Sequence, residues 1–379
     1  MSMTETGSRL HARAAETRTA LIERRLARYS PGAQASVRAL AGRHPRLAEL
    51  AVSFPVLLFA LAVPRRGLHV RPAVAHVIEG RSLSQVAQAA GAPLWLRKLP
   101  VDGLVRPLPL LPENEFFDRR IVNHLPRSPK LAPLWLEAVA DAAVWGHELL
   151  AIWIARELTR NTNSMNLRRL RLIILWAWFS LRPGTRGHRL ADKPWHPGMR
   201  LSSALDAAED WREKVALRLH LGEAPLADMW VEPGCVDGYE FTPLDSADSI
   251  AEEAARMQNC LCRFGDHVAH NRARFWSIRR GGQRVATLEV ARMPVAPLLI
   301  VHELRAAKNK EAPVEVWWAA TRWLHQHDLS RIAIQRLDWG KAQFDASAWR
   351  QLWRPYWLAK RRIPFWLPLK PSYEALWAL

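Results

Sequence analysis

Two adjacent glycines, Gly281 and Gly282, constrain the fold of this chain more than any other feature. They separate the segments Phe275–Arg279 and Arg284–Ala291, in which the hydrophobic period is two. A two-residue glycine turn between such segments is typical of a β-hairpin, because glycine readily adopts the positive φ that these turns require. We interpret Leu298–Arg305 as a third strand.

Helical patterns flank these strands. Ser249 and Glu252 match a capping box, which predicts the start of a helix. The apolar residues of this helix recur at helical spacing: Ile250, Ala254, Met257, Leu261 and Phe264. After the strands, Val314–His327 predicts a second helix and Arg331–Gln335 a short strand. The predicted order of elements is therefore α-β-β-β-α-β.

The N-terminal half predicts helices alone. Its apolar runs, Leu50–Val63 and Leu170–Leu181, are shorter than the ~20 residues needed to cross a bilayer, so we expect buried helices and no transmembrane segment. The predicted fold class is α+β, an all-helical N-terminal half followed by a small mixed domain with a Gly-Gly hairpin. The expected parts are a basic, partly helical segment (1–47), a helical domain (48–225), the mixed domain (226–340) and a basic Trp-rich tail (341–379).

The charge of the chain favours polyanionic partners. Lys and Arg number 54 against 36 Asp and Glu, which gives a net charge of +18. Such an excess attracts nucleic acid first and anionic membrane surfaces second, although a general bias of composition towards Arg would produce the same count. With three cysteines and no apolar leader, the sequence predicts a cytoplasmic location.

The segment from Trp349 to Lys370 contains six Lys or Arg and no acidic residue. Interleaved cations and aromatic rings can pair phosphates and stack bases, which predicts nucleic-acid binding with a preference for single strands. The residues assigned to this binding are Arg354, Lys360, Arg361, Arg362, Trp353, Trp357 and Trp366. The alternatives are a membrane-surface segment and a tail whose tryptophans pack onto the domain.

Residues 81–99 have a spacing found in helix-turn-helix units. Ala87 allows close helix approach and Gly91 a left-handed turn. Arg97 stands where a second apolar anchor is expected, so an ordinary helical hairpin is the preferred interpretation.

Four runs of sequence resemble the PcfJ-like family: EEAARMQNCL, FWSIRR, ATLEV and LLIVHELRAAKN. Cys260, Ser277, Arg279, Thr287, Glu289 and Asn309 occupy the positions of that family's motifs, and Trp95–Pro100 is similar to a segment of its longer members. Asn259 stands where the family usually has His, and His302 where Gln is common. The resemblance implies an association with conjugative plasmids, prophages and other mobile genetic elements, but no particular reaction.

Arg279, Glu289, Arg305 and Asn309 form the candidate site. If their side chains converge, they make a polar pocket suited to a phosphate or a nucleotide, because Arg binds phosphate in bidentate fashion and Asn can read a base. The alternative is a simple ion pair between Arg279 and Glu289 across the hairpin. Hairpin register decides between these readings, and the sequence leaves it open.

Other chemistry receives less support from the sequence. Cys260, His302 and Asn309 could form a nucleophilic arrangement, and Cys260 is otherwise expected to be buried at a helix end against the hairpin. The spacing of Cys260, Cys262, His267 and His270 matches no common zinc site. We therefore expect no metal and no cofactor. The sequence contains no known catalytic motif, so it favours no particular reaction and leaves enzymatic activity open.

The leading hypothesis is a cytoplasmic, nucleic-acid-associated accessory protein of a mobile genetic element that binds chiefly phosphates. One alternative is an enzyme that acts on a nucleotide or RNA at the polar pocket. Another is a protein-docking component of a conjugation or phage assembly.

Overall fold

The structure, a computed structural model, describes residues 17–160, 165–293, 298–327 and 344–377. Contacts between residues divide the chain into two units, residues 1–175 with 195–205 and residues 176–194 with 206–379. This division differs from the one expected at residues 225 and 226, because residues 206–225 and the tail belong with the sheet. The predicted strand Arg331–Gln335 lies outside the described residues.

Helices occupy the chain up to residue 221, as the sequence predicts. They are α1 (residues 17–26), α2 (Pro31–Ala41), α3 (Pro45–Ser53), α4 (Pro55–Ala62), α5 (Val70–Glu79), α6 (Leu83–Ala90), α7 (Glu115–Ile121), α8 (Ala132–Asp141), α9 (Glu148–Arg160), α10 (Leu167–Ser180), α11 (Arg186–Arg189) and α12 (Leu201–Leu221). No helix among the described residues is both long and apolar enough to cross a membrane.

Proline and glycine set the boundaries of several of these helices. Pro55 divides the apolar run of Leu50–Val63 into α3 and α4, because proline is favoured at the first position of a helix and disfavoured inside one. Gly91, with φ of +66°, ends α6 in the left-handed conformation. The element after Gly91 is a five-residue 3₁₀ helix, Leu94–Lys98, rather than a second α-helix. Residues 81–99 therefore form neither a helix-turn-helix nor the two-helix hairpin preferred from the sequence; α6 packs instead against α5, which precedes it.

A six-stranded antiparallel sheet in the order β1 to β6 forms the centre of the C-terminal unit. Its strands are β1 (Gly234–Val236), β2 (Tyr239–Pro243), β3 (Ala273–Arg280), β4 (Gln283–Arg292), β5 (Leu299–Ala306) and β6 (Lys310–Glu311). The Gly-Gly hairpin is confirmed, since Gly281 and Gly282 have φ of +56° and +78° and join paired residues Arg280 and Gln283. The sequence predicts three strands between Phe275 and Arg305, so a sheet that also contains β1, β2 and β6 is larger than expected.

Among the described residues, five helices accompany the sheet. They are α13 (Ala247–Met257), α14 (Gly265–Ala269), α15 (Val314–His325), α16 (Ala346–Lys360) and α17 (Tyr373–Trp377). The capping box of α13 uses Ser246 and Ser249, three residues earlier than predicted. α13 ends where Gln258 adopts a left-handed conformation, so the helical series does not continue to Leu261. A short 3₁₀ helix, Leu261–Phe264, follows it.

The two faces of the sheet pack differently. One face is apolar and buries Trp276, Ile278 and Leu288 against α15, where the ring of Trp323 lies 4.8 Å from that of Trp276. The other face lies under α13 and carries polar side chains among a smaller apolar cluster that includes Phe275. This second face holds most of the residues that the sequence singled out.

Candidate functional site

Strand register places a row of polar residues on one face of the sheet. Ser277 on β3 pairs with Thr287 on β4, and Thr287 pairs with Arg305 on β5. Thr242 and Glu311 extend the row onto β2 and β6. Because cross-strand partners share a face, these side chains project together from the sheet.

A hydrogen-bond chain connects this row to α13. The left-handed turn at Gln258 brings Asn259 above β4, where its Nδ2 donates to Thr287 Oγ1 over 3.1 Å. The Thr287 hydroxyl donates in turn to Glu253 Oε1 over 3.0 Å. Asn259 Oδ1 accepts from the backbone N–H of Leu261 and so fixes the orientation of its own amide. Asn259 therefore has a defined structural role, which is to connect the end of α13 to β4.

Glu253 is the central residue that the sequence analysis missed. It is fully buried, and its Oε2 accepts from Nε of Arg284 over 2.8 Å. A buried carboxylate without a partner is costly, so Arg284 supplies the compensating charge and also pairs with Glu252. The signal was available, since helical spacing from Ile250 to Met257 places residue 253 on the buried face.

The residues predicted to converge do so in part. A small cavity of about 40 Å³ is lined by Glu289, Arg305, Asn309 and Cys260, together with Thr287 and Glu303 among others. Arg305 Nε donates to Glu303 Oε1 over 2.8 Å, so its charge is already matched by a carboxylate on the same strand. Three of the four candidate residues therefore share one cavity.

Arg279 is the member that does not join them. It pairs in register with Arg284 and Glu240, and its Nε donates to Ser277 Oγ over 3.4 Å. The ion pair between Arg279 and Glu289 also does not form, because Glu289 pairs with Phe275 in the hairpin. The carboxylate of Glu289 instead lies 3.3 Å from Nδ1 of His302.

The size of the cavity limits what it can hold. A water molecule needs roughly 10–15 Å³ of such space, so a cavity of about 40 Å³ accommodates a few waters. Pockets for drug-sized ligands measure roughly 300–1,000 Å³. The nucleotide-sized pocket expected at these residues is therefore not formed.

The cysteines differ in environment from what was expected. Cys260 is half-buried rather than buried, and Asn309 Nδ2 lies 3.8 Å from its Sγ. The ring of His302 faces Glu289, so of the supposed Cys260–His302–Asn309 arrangement only the contact between Cys260 and Asn309 is present. Burial raises the pKa of the neighbouring Cys262 thiol to about 12, which keeps that thiol protonated and unreactive.

The tail shows a separation between its rings and its cations. Trp353, Trp357 and Trp366 are only 0%, 8% and 9% exposed, and in this arrangement they cannot offer faces to bases. This corrects the expectation of base stacking: the rings pack inward, as Trp349 does when its Nε1 donates to the carbonyl of Pro368 over 2.9 Å. Large indole rings stabilise most when buried, so this sequence uses them as core.

The cations of the tail mostly remain outside. Arg354, Arg361 and Arg362 are exposed, as predicted for phosphate contacts. Lys360 is half-buried, and desolvation, aided by the charge of Arg182, lowers its pKa to about 8. Lys360 consequently loses its charge, and with it its attraction for phosphate, at alkaline pH, where its three arginine neighbours stay charged.

Within the described ranges, no group of three or more His, Cys, Asp or Glu side chains could hold a metal ion. Two features of the C-terminal unit are candidates for function: the polar face under α13 and the exposed arginines of the tail. Comparison with protein-family models, with curated proteins and with solved structures finds no match to this chain.

Proposed function

We propose that this protein binds nucleic acid through its phosphates, and that the exposed arginines of the tail make the principal contacts. The observation that carries the proposal is that Arg354, Arg361 and Arg362 are exposed in a segment without any acidic residue. Arg354 projects from α16, and the buried rings of Trp349 and Trp353 hold the backbone of that helix in place.

The spacing of these cations suits a nucleic-acid strand. Arg350 and Arg354 are four residues apart and so lie on the same face of α16. From Arg350 to Lys360 the helix rises by about 15 Å, and Arg361 and Arg362 follow its end. One strand of a duplex carries a phosphate every ~3.4 Å of its axis, so the row spans about four phosphates.

Because the three tryptophans are buried, they cannot give the protein a preference for single strands. Phe365 is 80% exposed beside Arg362 and can supply a stacking ring. A preference for single strands would therefore depend on Phe365. Contacts to phosphates carry no sequence information, so we expect weak sequence selectivity.

The biological context rests on the resemblance to the PcfJ-like family, which supports an accessory role in a mobile genetic element. A protein of this kind would bind the element's nucleic acid. Docking to a conjugation or phage assembly is the competing role, and loss of all nucleic-acid binding would leave it as the leading one.

The test is binding at several salt concentrations, with single- and double-stranded oligonucleotides of one sequence. We expect a log–log slope of about −3 to −5, and the combined variant Arg354→Ala, Arg361→Ala, Arg362→Ala should reduce its magnitude by about 2 to 3. The matched control removes three exposed arginines elsewhere: Arg43→Ala, Arg66→Ala, Arg71→Ala.

The control separates a local site from the general positive field. If both triple variants change the slope equally, the tail is not the binding surface. If the native protein fails to bind at ~50 mM salt, where phosphate contacts are strong, the proposal is wrong. Phe365→Ala should reduce affinity for single strands more than affinity for duplex.

A further inference from the structure

A large basic concavity of the N-terminal unit lies far along the chain from the tail. It is a cavity of about 630 Å³ bordered by the end of α1 and the loop after it, by the junction of α3 and α4, by residues 97–101 and by residues 122–127. Five cationic side chains line it: Arg25, Arg28, Arg97, Lys98 and Arg127. No carboxylate is among the lining residues.

The charge in this cavity is only partly balanced by the protein. Asp102 lies behind the rim and accepts two hydrogen bonds from Arg28, Nε to Oδ1 and Nη2 to Oδ2, both over 2.8 Å. The Arg28 guanidinium lowers the pKa of Asp102, and the charge of Arg25 contributes in the same direction. Five cations against this one carboxylate leave an excess of four. Concave walls of low dielectric focus such a field.

The walls of the cavity are tied to one another. Tyr29 is buried and its hydroxyl donates to the carbonyl of Pro55 over 2.9 Å, joining the loop after α1 to the start of α4. Ser30 Oγ donates to the carbonyl of Leu104 over 2.6 Å, joining the same loop to the segment that follows residue 101. The cavity is therefore formed before any ligand arrives, which lowers the cost of binding.

The two cations of residues 94–99 stand between buried residues and line the cavity. Trp95, Leu96 and Leu99 are buried, and Trp95 Nε1 donates to Asp118 Oδ1 over 2.9 Å. Arg97 and Lys98 lie between them and are exposed. In the sequence analysis, Arg97 argued against a helix-turn-helix because it stands where an apolar residue is expected. In the structure, Arg97 lines this cavity.

We infer that this cavity binds the phosphate-bearing part of a nucleotide, either as a free nucleoside phosphate or as the phosphorylated end of a strand. Its volume is within the roughly 300–1,000 Å³ of small-ligand sites. Arginines recognise phosphate by paired hydrogen bonds. The lining also includes Val52, Pro55 and Leu99, which offer an apolar surface for a base. This site is independent of the arginines of the tail.

The test measures binding of four probes to the full chain at low salt by titration calorimetry. The probes are ATP, adenosine, and one short oligothymidylate with either a 5′-phosphate or a 5′-hydroxyl. We expect ATP to bind and adenosine to bind at least about tenfold more weakly, because adenosine lacks the phosphates that the arginines recognise. A preference for the 5′-phosphorylated oligonucleotide would identify a strand end as the ligand.

The cavity variant is Arg97→Gln, Lys98→Gln, Arg127→Gln, and all three side chains are exposed, so the fold should survive. It should weaken ATP binding by about tenfold or more, and it should remove any preference for the 5′-phosphorylated oligonucleotide. The control variant Arg43→Gln, Arg66→Gln, Arg71→Gln removes equal charge outside the cavity and should leave both unchanged.

Two results would overturn the inference. One is that neither ATP nor the phosphorylated end is bound in preference to its unphosphorylated counterpart. The other is that the cavity variant binds as the native protein does. The tail variant Arg354→Ala, Arg361→Ala, Arg362→Ala distinguishes this site from the proposed function: it should lower affinity for both oligonucleotides and leave ATP binding intact.

Discussion

The two faces of the C-terminal sheet are made by the same strands, yet they bury opposite kinds of side chain. The face under α15 contains Trp276 and Leu288 in contact with Trp323, and its packing is apolar. The face under α13 buries Glu289, and against it α13 buries Glu253, whose carboxylate accepts hydrogen bonds from Thr287 and Arg284. An apolar face needs no partner for its atoms, whereas each polar atom on the other face must be satisfied.

This difference indicates what each face contributes. Replacing a buried ion pair by apolar residues is often neutral or stabilising, so stability alone does not account for Glu253 and Arg284. The apolar face supplies the folding free energy, and the polar face holds the turn at Asn259 and the cavity beside Cys260 in a defined geometry. Four experiments test this division.

The largest effect is expected on the apolar face. Trp323→Ala should lower the free energy of unfolding by about 3–5 kcal/mol, because the large buried ring leaves a cavity. Trp318 on the same helix is 61% exposed, so Trp318→Ala is the matched control and should cost less than about 1 kcal/mol. Urea denaturation measures both; equal losses would show that the apolar face is not the source of stability.

A smaller loss is expected on the polar face. Glu253→Ala leaves Thr287 and Arg284 without a buried acceptor and should cost about 2–4 kcal/mol, whereas Glu252→Ala, at the exposed end of the same network, should cost about 0–1 kcal/mol. The combined change Glu253→Leu, Thr287→Val, Arg284→Met should recover most of the loss. Failure of that recovery in urea denaturation would mean that the network itself stabilises the fold.

Acid should destabilise the unit through His220, one turn beyond Leu217 of the cluster that covers the polar face. Burial lowers the pKa of His220 to about 4, although the charge of Asp266 opposes this and that of His270 adds to it. Since the folded state resists protonation that the unfolded state accepts near pH 6.5, stability should fall as pH drops from about 6.5 towards 4. Thermal unfolding of His220→Phe should show a shallower fall over this window; an unchanged profile would assign the acid sensitivity to other groups.

The smallest change is one of reactivity. In the native protein, an alkylating reagent should modify exposed Cys235 fastest, half-buried Cys260 more slowly, and Cys262 only after unfolding, because its thiol is buried and protonated. Mass spectrometry of single-cysteine variants gives the three rates. Equal protection of Cys260 and Cys262 would show that the polar cavity is closed to solvent.

Individual residues show which parts of the fold could be predicted from the sequence. Gly281-Gly282 predicted the hairpin because the turn needs only local chemistry. The end of α13 at Gln258 was missed, because the apolar spacing continues to Leu261 while the backbone turns, and Cys260 is half-buried for that reason. The inward rings of Trp353 and its neighbours match the alternative of a packed tail, which the sequence could not choose over base stacking because a composition of Trp and Arg fits both a core and a nucleic-acid surface.

The candidate site could likewise be predicted only in part from the sequence. Period two assigned each of Arg279 and Glu289 to a face of its own strand, but the convergence of Glu289 with Arg305 and Asn309 depends on register across three strands. Likewise, the basic cavity around Arg97 combines segments more than seventy residues apart. Such proximity arises from the tertiary fold, and no local pattern encodes it.

The outer strands of the sheet are its shortest, with three residues in β1 and two in β6. Unpaired backbone groups at a sheet edge are a template on which another chain can add a strand. Here the template is brief, and at β6 it consists of the exposed, oppositely charged Lys310 and Glu311. The described sheet is thereby protected against edge-to-edge aggregation. We expect a protein partner of this unit to contact helices and side chains instead of adding a strand to the sheet.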